Sequence, residues 1–172
     1  MKLRTLTWVA TAATAITLTS GAAPASAAGV LSAAGPLSDL SAETHATDGA
    51  SARLYAVEPG NGSTYFFFVV TGLDPAAAGT TYGAHVHTGS CVPGNGAAAG
   101  PHYNTGAGGA PSTDNEVWLD FTVRPGGVAV SRTTVPFEIA PGDAHSVVIH
   151  AQPTQHGTGN AGARIACLPV DF

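Results

Sequence analysis

"ARLYAVEPGNGSTYFFFVVTGL", residues 52–73, decides the fold class. Two runs rich in Leu, Val, Tyr and Phe flank Pro59-Gly60-Asn61-Gly62, a cluster that favours a tight reversal, so the stretch predicts a β-hairpin. Working outward, β-rich runs recur at 82–87, 116–123, 127–135, 144–150 and 164–168, each bounded by Gly, Pro, Asn or Asp. Helical periodicity is essentially absent after the N-terminal segment. Short strands spaced by turn signals predict an all-β, antiparallel sandwich or barrel. Two longer glycine-rich loops, 88–115 and 151–163, each follow a strand that carries histidine, and loops on such scaffolds usually carry function. The sequence contains no internal repeat.

The chain of 172 residues opens with Met1, Lys2, Leu3 and Arg4, an apolar stretch, and then "AAPASAAG". A charged start, an apolar centre and small residues at the end read as a secretory signal over 1–27, cleaved near Ala27. Residues 28–40, rich in Ala, Ser and Gly with weak periodicity, are expected to form a flexible lead-in to a domain over 41–172. Nothing later approaches the roughly 20 apolar residues that cross a bilayer, so no membrane association is expected once the signal is gone. Only Arg53, Arg124, Arg132 and Arg164 follow the signal, against all eleven acids, a net charge of about −7. Nucleic acid and anionic membranes need clustered Lys and Arg, so neither is expected as a partner. Cys91 and Cys167, in a chain bound for an oxidising compartment, are expected to pair. Closing a loop of about 77 residues would contribute on the order of 4 kcal/mol in the chain-entropy picture.

In "GAHVHTGSC", residues 83–91, His85 and His87 sit two apart on a strand and so share a face. Two imidazoles on one face suit a metal ion, although surface histidines on a strand fit the same spacing. His102 in "AGPHYN" and His150 at the end of "SVVIH" add two more at loops or strand ends. Imidazole suits zinc, copper, iron and nickel, and a nitrogen-only set is compatible with copper that changes oxidation state. Met1 is the sole methionine, and a paired Cys91 leaves no thiolate, which argues against a blue-copper electron carrier.

"YGAHVHTGSC", "AGPHYN" and "SVVIH…GTGNAGARIAC", in this order, resemble the signature segments of the copper/zinc superoxide dismutases, a family with a β-sandwich fold. The resemblance spans about residues 51–169. It implies a Greek-key β-sandwich or barrel with two long functional loops, and superoxide as substrate. It further implies copper held by His85, His87, His102 and His150, with His102 in the position that bridges to zinc and takes part in proton delivery. Cys91 and Cys167 match the family's disulfide, and Arg164 matches the arginine that attracts and orients superoxide.

The departures shape the expectation. The family's zinc site needs two further histidines and an aspartate, yet no histidine lies between His102 and Asp120, and Asp120 alone matches the aspartate. The segment from His150 to Arg164 is shorter than the family's usual electrostatic loop. The acidic residue that normally links the two metal sites is missing near Thr154. Copper without zinc is expected, as in the copper-only members. His102 then needs another partner for its second nitrogen, which Asp120 or Glu116 could supply. The activity this implies is dismutation of superoxide, with copper binding without catalysis as the alternative. His156 reads as a solvated loop residue near the site; His45 and His145 receive no role. "GTGNAG" over 157–162 fits a dinucleotide fingerprint in letters only, since it neither follows a βαβ pattern nor opens a helix. Trp118, Phe121 and Phe66-Phe67-Phe68 read as core and sheet packing. Oligomeric state is not legible. Intact-mass analysis of protein recovered outside the cell should give a chain that starts at Ala28; a mass retaining residues 1–27 would remove the signal assignment.

Overall fold

A computed structural model describes residues 28–172, and the expected signal lies outside them. The hairpin is present: β3 (Ser51–Glu58) pairs antiparallel with β4 (Thr64–Thr71). Alternation decides which side each residue takes. Ala52, Leu54 and Ala56 point inward opposite Val70, Phe68 and Phe66, so small residues on one strand face large ones on the next. β1 (Gly29–Pro36) extends the sheet beside β3, and β8 (Val128–Val135) extends it beside β4.

The second sheet has the order β2 (Ser38–Asp39), β10 (Arg164–Pro169), β9 (Ser146–His150), β6 (Ala84–His87). A small ribbon joins β5 (Thr81–Tyr82) to β7 (Phe121–Thr122). The chain crosses from the first sheet to the second between β4 and β6, returns at β8 and crosses again to β9, which gives the expected antiparallel Greek-key sandwich. Between the sheets lie Leu54, Phe66, Phe68 and Leu119 against Val86, Val147, Ile149 and Leu168. The helical content among the described residues is two short 3-10 turns, Pro75–Ala77 and Gly96–Ala99.

Three expectations need correction. Residues 28–40 are not a flexible lead-in: β1 pairs with β3 along its whole length and β2 pairs with β10. Their Ala, Ser and Gly residues hide the pattern, because a strand needs only alternating access and Leu31 and Ala33 supply the inward side. The run 82–87 breaks at Gly83. A Cβ there would lie 2.6 Å from the Ala161 Cβ and 2.8 Å from the Gln152 carbonyl, an approach only glycine permits. The run 116–123 is a strand only at β7, with Glu116 and Trp118 bridging singly to Asn104 and His85.

Cys91 and Cys167 are bonded, with Cα atoms 5.8 Å apart across a sequence separation of 76. The bond ties the 88–115 loop to β10, on the outer face of the second sheet, where Leu40, Ala99 and Val148 form a small apolar cluster with it. Serine at either cysteine should lower the unfolding free energy by about 2–4 kcal/mol, read by denaturant melts of oxidised protein and variant side by side.

Candidate metal centre

β6 and β9 place the site by parity. Ala84 and Val86 face the core between the sheets, so His85 and His87 face the other way, under the 88–115 loop. β9 runs antiparallel beside β6 and ends at His150, on the same side. His102 joins them because it bridges to His87 on the free edge of β6. One ring nitrogen from each of His85, His87, His102 and His150 lies within 4.8 Å of the others. The structure brings all four expected ligands together, three of them buried and His102 partly so.

Their partners set the tautomers. His87 Nδ1 lies 3.1 Å from the Gly100 carbonyl and His150 Nδ1 lies 3.1 Å from the Gly162 carbonyl. A carbonyl only accepts, so both Nδ1 atoms carry the proton and both Nε2 atoms present lone pairs. Thr154 Oγ1 donates to Asp120 Oδ1 at 2.6 Å and therefore accepts from His85 Nε2 at 2.7 Å. That leaves His85 Nδ1 as a bare lone pair, buried and without a partner. His102 donates from Nδ1 to Glu116 Oε2 at 2.9 Å, which frees its Nε2.

His87 Nε2 and His150 Nε2 then stand 3.3 Å apart with no proton between them. Four acceptors converging in a buried space are unfavourable unless a cation lies among them. Protonation is a poor substitute. Burial pushes His87 down to about 3 and His150 down to about 4, against the raising effect of the carbonyls, with neighbouring histidines and Arg164 adding to the depression. His85 is held lower still, by burial and by the other three rings. All three are neutral and ready to bind metal at ordinary pH.

The segment after the 88–115 loop supplies the supports. Glu116, Trp118 and Asp120 alternate toward the site while Val117, Leu119 and Phe121 enter the core. Of the two candidates for the second nitrogen of His102, Glu116 takes it. Asp120 is turned to the other side, accepting from Thr154 N at 2.9 Å and from Ala84 N at 3.2 Å. It reaches His85, an expected ligand, through the Thr154 hydroxyl, and Glu116 rather than Asp120 accepts from His102. Thr154 was missed in the sequence, where a threonine in a glycine-rich loop carries no signal. Trp118, which the sequence alone places in packing, has a second role. Its indole N–H donates to Glu116 Oε2 at 2.9 Å, and its ring lies 6.1 Å from that of His85. The E-x-W-x-D alternation over 116–120 was the available cue, since strand residues two apart share a face.

Arg164 stands opposite His150 in the β9–β10 register, beside an irregularity between Arg164 and Ala166. Such bulges re-aim side chains next to sites. Its guanidinium donates to the Gly96 carbonyl at 2.7 Å and borders an open hollow of about 450 Å³ that also exposes His102 and His150. His156 is exposed and packs edge-on against Trp118, with ring centroids 5.6 Å apart.

The model of the copper/zinc superoxide dismutase (SODC) family matches residues 49–168. The chain belongs to this family. Solved structures share the fold at low identity. The crystal structure of the clock protein EA4 superposes with a TM-score of 0.58 at 17% identity, covering 83% of this chain and 92% of that one. A double mutant of a superoxide dismutase-like protein from Bacillus subtilis gives 0.56 at 21%, covering 84% and 99%. No curated protein sequence matches. Membership accounts for the order of the histidine segments along the chain, and the four-histidine cluster is consistent with a metal-binding member of the family.

The metal-free protein should lose stability as pH falls from about 6.5 toward 4. The buried histidines have depressed pKa values, so the unfolded chain binds protons first and stability is complete only above the unfolded value. Denaturant melts across that range should show a decline of up to about 1.4 kcal/mol per pH unit for each such histidine, and a smaller slope in His87→Gln.

Proposed function

We propose that this protein is an exported copper superoxide dismutase that converts two superoxide ions and two protons into oxygen and hydrogen peroxide without a zinc site. The observation that carries the reading is the convergence of four unprotonated imidazole nitrogens beside Arg164, in a member of this family. A nitrogen-only set fits copper, and the orphaned, buried His85 Nδ1 is the position such an ion would satisfy. Copper bound there would supply the one-electron exchange with superoxide.

The chain's own residues do the rest. Arg164 offers a fixed cationic donor at the mouth of the hollow, where a small anion can be guided against the negative balance of the whole chain. His102 donates from Nδ1 to Glu116, which leaves Nε2 as the ring atom through which it would act in the site. Thr154 and Asp120 lock the ring of His85. The copper-only reading is supported by the engagement of His102 Nδ1 with Glu116, which occupies the atom a zinc ion would need. Export is supported by the disulfide and by the N-terminal sequence.

Superoxide decay after a radiolytic pulse tests the proposal, with copper-loaded and metal-free protein compared. Catalytic decay should require copper alone, and Arg164→Ala should slow it on the order of tenfold while copper affinity stays unchanged. Decay no faster than with the metal-free protein, despite bound copper, would leave a copper-binding module.

A further inference from the structure

The outer face of the first sheet lies away from the metal centre and has a composition unlike the rest of the surface. Of the four large apolar side chains most exposed among the described residues, Val30, Tyr65 and Val128 project from it. At its centre Tyr55 and Phe67 are cross-strand partners whose rings stack with centroids 6.5 Å apart at 24°. Arg132, opposite Phe67 on β8, places its guanidinium 5.0 Å from the centroid of that ring. Arg53 closes the other end, donating to the Tyr55 hydroxyl at 3.0 Å. The row therefore reads Arg132, Phe67, Tyr55, Arg53.

Charge makes the face specific. The chain has eleven acidic residues, yet none projects outward from these four strands, and among the described residues neither Arg53 nor Arg132 lies within ion-pair distance of a carboxylate. Half of the arginines that follow residue 27 thus stand unpaired on one aromatic face of an acidic chain. Beside the row, the small residues Ala34 and Gly35 of β1 leave a groove of about 550 Å³ with Ala52 and Val69 in its lining. Half-buried aromatic rings flanked by exposed Arg side chains around an apolar groove are the composition of protein interfaces.

We propose that this face docks an acidic segment of a partner protein, with apolar side chains in the groove and carboxylates on Arg53 and Arg132. The rings argue for polypeptide rather than an anionic sugar. Both flanks of Phe67 are taken, by Tyr55 and Arg132, so its face is closed to a pyranose, and the row presents electropositive ring edges and guanidinium N–H groups. Arg132 on β8 and Arg53 on β3 stand two strands apart and offset along them, at least about 10 Å, a spacing that suits separate carboxylates along a chain better than one phosphate. A second copy docking through the same face would set arginine against arginine.

Fluorescence anisotropy on the full exported chain tests this, with a short labelled peptide of alternating Glu and Leu as probe. The Glu–Leu peptide should bind, its Gln–Leu counterpart should not, and Arg53→Ala and Arg132→Ala should each weaken binding about tenfold. Arg132→Lys, which keeps the charge, should retain part of the binding should the alanine variant fail to fold. The proposal is overturned by absence of Glu–Leu binding, by equal binding of the Gln–Leu peptide, or by indifference to both arginines. Alginate competing as well as the peptide would also overturn it, as would sedimentation showing that the face is covered by a second copy.

Discussion

His87 and His150 point lone pairs at each other across 3.3 Å, and much of the second sheet can be understood as the frame that holds them there. The pairing of β6 with β9 fixes their separation, and two backbone carbonyls fix which nitrogen of each ring is bare. His102 and His85 complete the set through a carboxylate and through a hydroxyl that is itself oriented by a carboxylate. Burial keeps protons away from the arrangement, so the energetic tension has one natural release, a metal cation.

The two sheets divide the work. Inward residues of both make the core, and the outward face of the second sheet is roofed by the 88–115 loop, held to β10 by the Cys91–Cys167 bond. That roof carries Gly96, whose carbonyl takes the Arg164 guanidinium, so the covalent link and the aim of the arginine lie in one short stretch of chain. Gly159, from the other loop, closes the edge: a Cβ there would come within 3.2 Å of Glu116 Oε2 and 3.1 Å of the Pro111 Cβ. The loops meet over the Glu116–His102 pair because one of them lacks a side chain at that point.

The fold class was legible at residues 52–73, where alternation and turn chemistry agree, and the four histidines were legible through their spacing and segment order. What stayed hidden had physical causes. β1 was missed because Ala, Ser and Gly satisfy alternation without advertising it. The interruptions at Gly83 and around Glu116 depend on loops approaching from distant sequence, which no local pattern records. Thr154 acts through one hydroxyl placed between His85 and Asp120, and a single polar atom leaves no periodicity. Trp118 reads as core because an aromatic among apolar strand residues most often packs; only its indole N–H shows that it serves Glu116.

Three orienting bonds of the centre end on glycine carbonyls: His87 on Gly100, His150 on Gly162 and Arg164 on Gly96. A carbonyl belongs to the backbone, so no substitution can delete it, and drift in neighbouring side chains leaves the acceptors intact. Gly100 and Gly162 nevertheless have φ of +68° and +77°, and a Cβ on Gly96 would press within 3.1 Å of Arg164 Cβ. Hereditary fragility of the centre is thereby shifted from residues that look chemical to residues that look inert. Over evolutionary time the two loops should tolerate exchange of their polar side chains, His102 and Thr154 excepted, more readily than a one-residue insertion, deletion or replacement at any of these three glycines.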